Sequence, residues 1–215
     1  MFVGCDSLET VDGNLSSLTN GAYMFYKCTA LSTFNSDLSS LTYSRYMFRK
    51  CTSLTSFDSD LSSLTDGQDM FRDCTNLAEF GSDLNSLTSG DYMFYGCEKL
   101  ETFNSDFISL KTGKSSLTNG GSMFRNCSNL ASFTANLSSL TAGSNMFYNC
   151  TNLTTFNSDL SSLIAGNNMF YKCKLNASSL KNILETLPQS SSSSITIGID
   201  VSQSIVNGKT TSQQL

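Results

Sequence analysis

The sequence predicts an α/β repeat: a solenoid of stacked 23-residue turns, each contributing one short parallel strand, closed by a C-terminal helix–strand cap. Three observations predict it. Cysteines stand at Cys5, Cys28, Cys51, Cys74, Cys97, Cys127, Cys150 and Cys173, at one constant interval broken only by a longer one between Cys97 and Cys127. Each cysteine closes a Met-Phe-x-x-Cys block, from Met1-Phe2 through Met24-Phe25 to Met169-Phe170. After Cys173 the period stops and a helical one begins. A repeat of roughly 20–29 residues is the mark of solenoids whose short turns each supply a strand.

Counting cysteine as position 0, the unit reads C-x-x-L-x-x-F-x-S-D-L-x-x-L-x-x-G-x-x-M-F-x-x. Leucine at position 3 is Leu8, Leu31, Leu54, Leu77, Leu100, Leu130 and Leu153. Position 6 carries Phe34, Phe57, Phe80, Phe103, Phe133 and Phe156, with Val11 in the first turn. Further leucines at positions 10 and 13, such as Leu38 and Leu41, complete the apolar set, and Phe107 takes one position-10 site. Stacking turns at the strand spacing of about 4.8 Å converts each column into a ladder, and the ladders into one core. All 8 Met, all 8 Cys and all but one of the 15 Phe fall in the Met, Cys and two Phe columns, so no cofactor box remains and none is expected. Glycine at position 16 (Gly21, Gly67, Gly90, Gly120, Gly143 and Gly166, with Ser44 the exception) marks a corner needing positive φ or a close backbone approach.

The array spans residues 1–173, and its long fifth unit should bulge as a loop at Lys111 to Leu117. A cap fills 174–215. Leu180, Ile183, Leu184 and Leu187 recur at helical spacing, predicting a helix over about 177–187, capped by Ser178 or Ser179 and stopped by Pro188. Ile195 to Ile199 reads as a short strand. Met1 sits inside a repeat with no capping segment before it, which suggests a piece of a longer protein.

The unit C-T-S-L-T-S-F-D-S-D-L-S-S-L-T-D-G-Q-D-M-F-R-D resembles the leucine-rich repeats of BspA-like bacterial surface proteins. The resemblance covers about residues 1–173 and implies a leucine-rich repeat solenoid of about seven and a half turns. It also implies an adhesin-type function at a cell surface, or on a virion, since similar Met-Phe-x-x-Cys repeats occur in gut bacteria and their phages. Two positions depart from the family. Position 9 is Asp or Asn where proline is common, and position 8 is mostly Ser rather than apolar, so a shorter or more polar strand is expected.

Composition narrows the function further. A net charge of −5 opposes a nucleic-acid surface, and 0 histidines remove the commonest general base and metal ligand. No stretch approaches the roughly 20 apolar residues of a membrane span. Neighbouring cysteines point the same way from adjacent turns, a poor geometry for disulfides, and no Cys-x-x-Cys offers zinc spacing. Buried free thiols acting as small apolar residues are the expectation. The acidic column Asp37, Asp60, Asp83, Asp106 and Asp159, with Asn14 and Asn136, has two readings. Each side chain caps backbone N–H groups in its own turn, or neighbouring turns share calcium. A uniform carboxylate ladder lacks the asymmetry of a glycosidase pair, and no catalytic residue is expected. Lys111-Thr112-Gly113-Lys114-Ser115 ends like a phosphate loop but has Ile108 where the motif needs glycine.

The functional signal is aromatic. Of 8 tyrosines, Tyr23, Tyr26, Tyr46, Tyr92, Tyr95, Tyr148 and Tyr171 occupy positions 18 or 21, and Arg49, Arg72 and Arg125 fill position 21 elsewhere. These types are enriched in binding hot spots, so the stripe is a candidate surface for a protein or glycan ligand. Tyrosine and arginine stems lying over the core, as on a passive spacer or stalk, would have the same pattern.

Overall fold

A computed structural model describes residues 1–108 and 116–188, together with two short strands at 205–206 and 209–210. Seven two-residue strands repeat at positions 5 and 6 of each turn: β1 (Thr10–Val11), β2 (Thr33–Phe34), β3 (Ser56–Phe57), β4 (Glu79–Phe80), β5 (Thr102–Phe103), β6 (Ser132–Phe133) and β7 (Thr155–Phe156). They pair in parallel with a register of one repeat within three short sheets, β1-β2, β3-β4-β5 and β6-β7, as in Thr10↔Thr33 and Glu79↔Thr102. The threonine, serine or glutamate of each pair faces out, while the phenylalanine enters the core. Beyond the strand, at position 8, Ser36, Ser82, Ser105 and Ser158 are buried.

A second ladder runs along another side of the solenoid. Single bridges join Asn20, Tyr43, Asp66, Ser89, Asn119, Ala142 and Ala165, the position-15 residues, without a break. On the Met-Phe side a third set of bonds runs from turn to turn. Phe25, Phe48, Phe71, Phe94, Phe124 and Phe147 each donate N–H to the methionine carbonyl of the next turn, all at 2.9 Å. Backbone polarity is thus satisfied around the coil although little of it is regular strand.

The core is a pair of interleaved phenylalanine columns. Successive position-20 rings, Phe25 to Phe170, stack at 5.3–5.6 Å with planes within 11° of parallel. Position-6 rings meet them edge to face, for example Phe80 on Phe94 at 4.7 Å. Aromatic pairs prefer these two arrangements, and each adds about 0.5–1.5 kcal/mol beyond area burial. Phe107 fills the leucine site as expected, fully buried and 5.6 Å from Phe103. The first turn is different: Met1, Phe2, Val3 and Cys5 are exposed, and Leu8, Val11, Leu15 and Leu18 are only partly buried.

Three local expectations are sharpened or corrected. Position-16 glycines are not the left-handed residues. That conformation falls at positions 18 and 22, as at Tyr23, Tyr46, Tyr92, Lys27, Lys50 and Gly96. The glycines answer the close-approach need instead, since a Cβ on Gly21 would lie 2.6 Å from Met47 Sδ. Leu117 lies in the core rather than in the loop, and Ser116 Oγ donates to the Phe107 carbonyl at 2.9 Å across the neck. The remainder of the insertion lies outside the described residues. Finally, the thiols are more than apolar fillers. Each buried cysteine donates S–H to the phenylalanine carbonyl of the preceding turn, from Cys28 to Phe2 at 2.9 Å through Cys173 to Phe147 at 3.2 Å.

Helix α1 (Ala177–Thr186) packs on β7. Its N-cap is Asn176, not Ser178 or Ser179, because Asn176 Oδ1 accepts the Ser179 N–H at 2.9 Å. Ser179 is freed for another task. Its hydroxyl accepts the Phe156 N–H at 2.8 Å and donates to Thr154 O at 3.1 Å, while Asn182 Nδ2 reaches Ser158 O at 2.9 Å. The helix therefore covers the open edge of β7 with polar side chains where another turn would have stacked. Ile183 and Leu175 complete the core, but Leu184 is 67% exposed, on the opposite face from that expected. Ser179→Ala should cost about 1–3 kcal/mol by leaving the buried Phe156 N–H unpaired, whereas Thr154 O keeps the Asn176 N–H at 2.9 Å. Faster amide exchange at Phe156 would register it. The expected strand at 195–199 lies outside the described residues; farther along, β8 (Ile205–Val206) pairs antiparallel with β9 (Lys209–Thr210).

Candidate functional site

The position-21 side chains form one stripe along the solenoid. Tyr26, Arg49, Arg72, Tyr95, Arg125, Tyr148 and Tyr171 succeed one another turn by turn, ring against ring or guanidinium except at the step from Arg49 to Arg72, which is bridged by Asp73. Arg49 lies over Tyr26 at 6.0 Å, Arg72 over Tyr95 at 4.6 Å, and Arg125 between Tyr95 at 5.9 Å and Tyr148 at 4.3 Å. Tyr148 stacks on Tyr171 at 5.0 Å. The position-18 tyrosines flank this row: Tyr23 stacks on Tyr46 at 4.7 Å, Arg49 also covers Tyr46 at 5.5 Å, and Arg72 covers Tyr92 at 5.4 Å. All ten candidate residues therefore lie together on one side. Tyr23, Tyr92 and Tyr171 are exposed, whereas the other seven are partly buried, because each ring covers its neighbour.

Register produces this arrangement. One side chain per repeat, at one position, is delivered to adjacent turns whose backbones are hydrogen-bonded. Tyr23, Tyr46 and Tyr92 hold φ of 58–61°, a region that bulky residues rarely adopt and that Asn145 and Asn168 fill in later turns. The hydrogen-bond ladder on the Met-Phe side imposes that conformation in every turn, so tyrosine is tolerated there against its local preference.

The stripe has two electrostatic halves. In the N-terminal half each arginine has a carboxylate. Arg45 pairs with Asp66 at 2.9 Å, Arg72 with the buried Asp69 at 3.0 Å, and Asp73 lies between Arg72 at 3.8 Å and Arg49 at 3.9 Å. Burial pushes Asp91 above the usual carboxylate range, against the opposing hydrogen bond from the Gly121 N–H at 2.6 Å. The Asp69 charge raises the Tyr46 phenol. In the C-terminal half, Arg125 has no ion pair among the described residues; its Nε, like those of Arg49 and Arg72, is buried without a hydrogen-bond partner.

The acidic column lies apart from the stripe. Asp37, Asp60 and Asp159 each accept the backbone N–H two residues on, at 2.8, 2.8 and 2.7 Å, and Asn14 and Asn136 do the same. That bond from Ser39 holds the Asp37 carboxyl below its ordinary range. The geometry is that of turn capping, and it accounts for the exchange of Asp with Asn between turns. Among the described residues no group of three acidic or thiol ligands converges on one point.

One feature escaped sequence reasoning. A polar depression of about 430 Å³ lies on the strand face above β3, β4 and β5, bordered by Asp58, Glu79, Gly81 and Asn104. It exists because Gly81 lacks a side chain at position 7, where other turns carry Asn, Asp or Thr. A single glycine breaking an otherwise polar column was the available signal.

The repeat geometry and the sequence period agree with one family. A BspA type leucine rich repeat region matches residues 1–119 and 104–198, in 6 copies. The chain belongs to the BspA-type leucine-rich repeat family. Repeats of this family are often adhesive or protein-binding, and the family is typically surface-associated. No curated protein matches the sequence. Among solved structures, a leucine-rich repeat protein from Bacteroides ovatus is similar, with 18% identity over 96% of this chain and 79% of that one and a TM-score of 0.26. The assignment of these BspA-type repeats rests on their sequence match. None of the described helices is long and apolar enough to cross a membrane.

Proposed function

We propose that this BspA-type array is a non-enzymatic recognition module, displayed on a cell surface or virion, that binds protein or glycan ligands through Tyr23, Tyr26, Tyr46, Arg49, Arg72, Tyr92, Tyr95, Arg125, Tyr148 and Tyr171. The observation that carries the reading is the continuity of this stripe. Side chains of hot-spot type are aligned over the whole array on backbone that is already rigid, so a ligand orders little on binding. One observation favours a passive spacer instead: most ring faces are already covered by neighbouring rings and guanidinium groups. The test is a glycan-array and cell-surface binding screen of the chain beside a Tyr92→Ala/Tyr95→Ala/Arg125→Ala variant whose fold is checked by circular dichroism. Loss of at least about tenfold in affinity supports the stripe, as hot-spot truncations of this kind do. Equal binding by both proteins would overturn it, and binding by neither would leave the spacer reading standing.

A further inference from the structure

The second half of the stripe differs from the first in a way that points to a ligand class. Positions 15–22 of the last three turns, residues 119–126, 142–149 and 165–172, contain no carboxylate. They hold Arg125, Lys172, Tyr148, Tyr171 and a set of asparagines, in a chain whose net charge is −5. Asn149 Nδ2 donates to Asn126 Oδ1 at 3.1 Å, continuing the polar rungs beside the tyrosines. Arg125 is held between two aromatic faces with no counter-ion among the described residues, unlike Arg45 and Arg72.

The final turn adds a second, independent donor group. In each earlier turn the N–H at positions 16, 18, 20 and 22 donates to the next turn, as Gly21 to Tyr43 O, Tyr23 to Arg45 O, Phe25 to Met47 O and Lys27 to Arg49 O. Among the described residues the equivalent groups of Gly166, Asn168, Phe170 and Lys172 have no acceptor; Gly166 and Phe170 are buried, whereas Asn168 and Lys172 are exposed. A guanidinium, an ammonium and the N–H groups of Asn168 and Lys172 therefore lie in these last turns, whose positions 15–22 carry no carboxylate of their own, while Asp91 of the preceding turn is engaged by the Gly121 N–H.

We infer that this end of the stripe, centred on Arg125, is an oxyanion seat whose ligand is an acidic polysaccharide. The inference rests on the recognition function proposed above and names its ligand. Charge-assisted hydrogen bonds from guanidinium and backbone N–H groups select carboxylate or sulfate. Spacing and exposed chemistry favour a glycan over an acidic peptide. The Tyr148 and Tyr171 rings are 5.0 Å apart, a step comparable to one sugar in a linear chain. Same-face residues of an extended peptide recur at twice the rise of a strand, a longer step that falls out of phase with the rungs. The covered ring faces leave hydroxyls, amides and N–H groups at the surface, partners for sugar hydroxyls rather than pockets for apolar side chains.

Affinity is measured by biolayer interferometry on immobilised polygalacturonate and chondroitin sulfate, with neutral dextran and poly-L-glutamate as comparisons. The expected result is binding to at least one acidic glycan that weakens with added salt. Neither dextran nor polyglutamate should match it. Arg125→Gln should lose about tenfold or more, by removing one charge-assisted contact. Lys181→Gln, an equal change of charge on the exposed face of α1, should stay within about twofold, as rim charges do. Comparable binding of dextran or polyglutamate, or equal losses in the two variants, would overturn the inference. If no acidic glycan binds but the screen above finds a stripe-dependent neutral ligand, this inference falls and the recognition function stands. If the screen also finds none, both fall.

Discussion

Truncating Phe94 to alanine is expected to lower stability by about 3–5 kcal/mol, the range for large aromatic side chains removed from a packed core. Phe94 is fully buried and meets four other rings: Phe71 at 5.5 Å and Phe124 at 5.3 Å by stacking, Phe80 at 4.7 Å and Phe103 at 5.7 Å edge to face. Its removal interrupts both phenylalanine columns midway along the array. In a solenoid each turn leans chiefly on its neighbours, so the damage should appear as early melting of the turns on either side. The matched comparison is Phe2→Ala. Phe2 is 47% exposed and stacks on Phe25 alone at 5.5 Å, and it should cost less than about 1 kcal/mol. Urea unfolding followed by circular dichroism checks the pair. A cost below about 1 kcal/mol for Phe94→Ala would contradict a continuous aromatic core.

The second large effect is in thiol chemistry. Of the 8 cysteines only Cys5 is exposed; the other seven are buried and free. Burial raises the Cys51, Cys74, Cys97, Cys127 and Cys150 thiols far above their ordinary range and pushes Cys173 up to about 12. Thiolate is the reactive form, so native protein should react with Ellman's reagent at one thiol quickly, and at the rest only through unfolding. In denaturant all eight should react. Stability should follow pH with a definite sign. A group whose folded pKa is raised stabilises fully below its unfolded value, near pH 8.5, and loses that contribution as pH rises toward the folded value. For Cys173 the loss spans roughly pH 8.5 to 12. Each such thiol adds a slope of about 1.4 kcal/mol per pH unit, so alkaline unfolding should steepen abruptly above about pH 9. A flat profile from about pH 8 to 10 would place the thiols in water and refute the buried column.

The two parts of the molecule differ in how much could be read from sequence. Leu31, Phe34, Leu38, Cys28 and their equivalents recur at one spacing, and a residue repeated at one phase of a solenoid has the same neighbours in every turn. Burial and strand register were therefore legible without coordinates. The cap is not repeated, and there the reading slipped. Ser178, Ser179 and Asn176 are all competent N-caps, and helical periodicity cannot tell Leu184 from Leu180 once the helix docks by only one edge. Which residue capped was decided by the unpaired edge of β7, which drew Ser179 into bonds with Phe156 and Thr154.

For the candidate site the same division holds. Spacing alone brought the ten tyrosines and arginines to one side of the solenoid, because positions 18 and 21 are fixed in phase with a buried Met-Phe pair. Sequence could not show that their faces would be spent on one another, nor that Asp66, Asp69 and Asp73 would neutralise one half and leave Arg125 without an ion pair among the described residues. Those facts depend on which side chains of adjacent turns come into contact, as Arg125 does with Tyr148, and that is set by stacking across a whole repeat of chain. The thiol-to-carbonyl bonds have the same origin. A column of cysteines is visible in the sequence, but the carbonyl that accepts from Cys74 belongs to Phe48 on the preceding turn, and only the packed solenoid brings the two together.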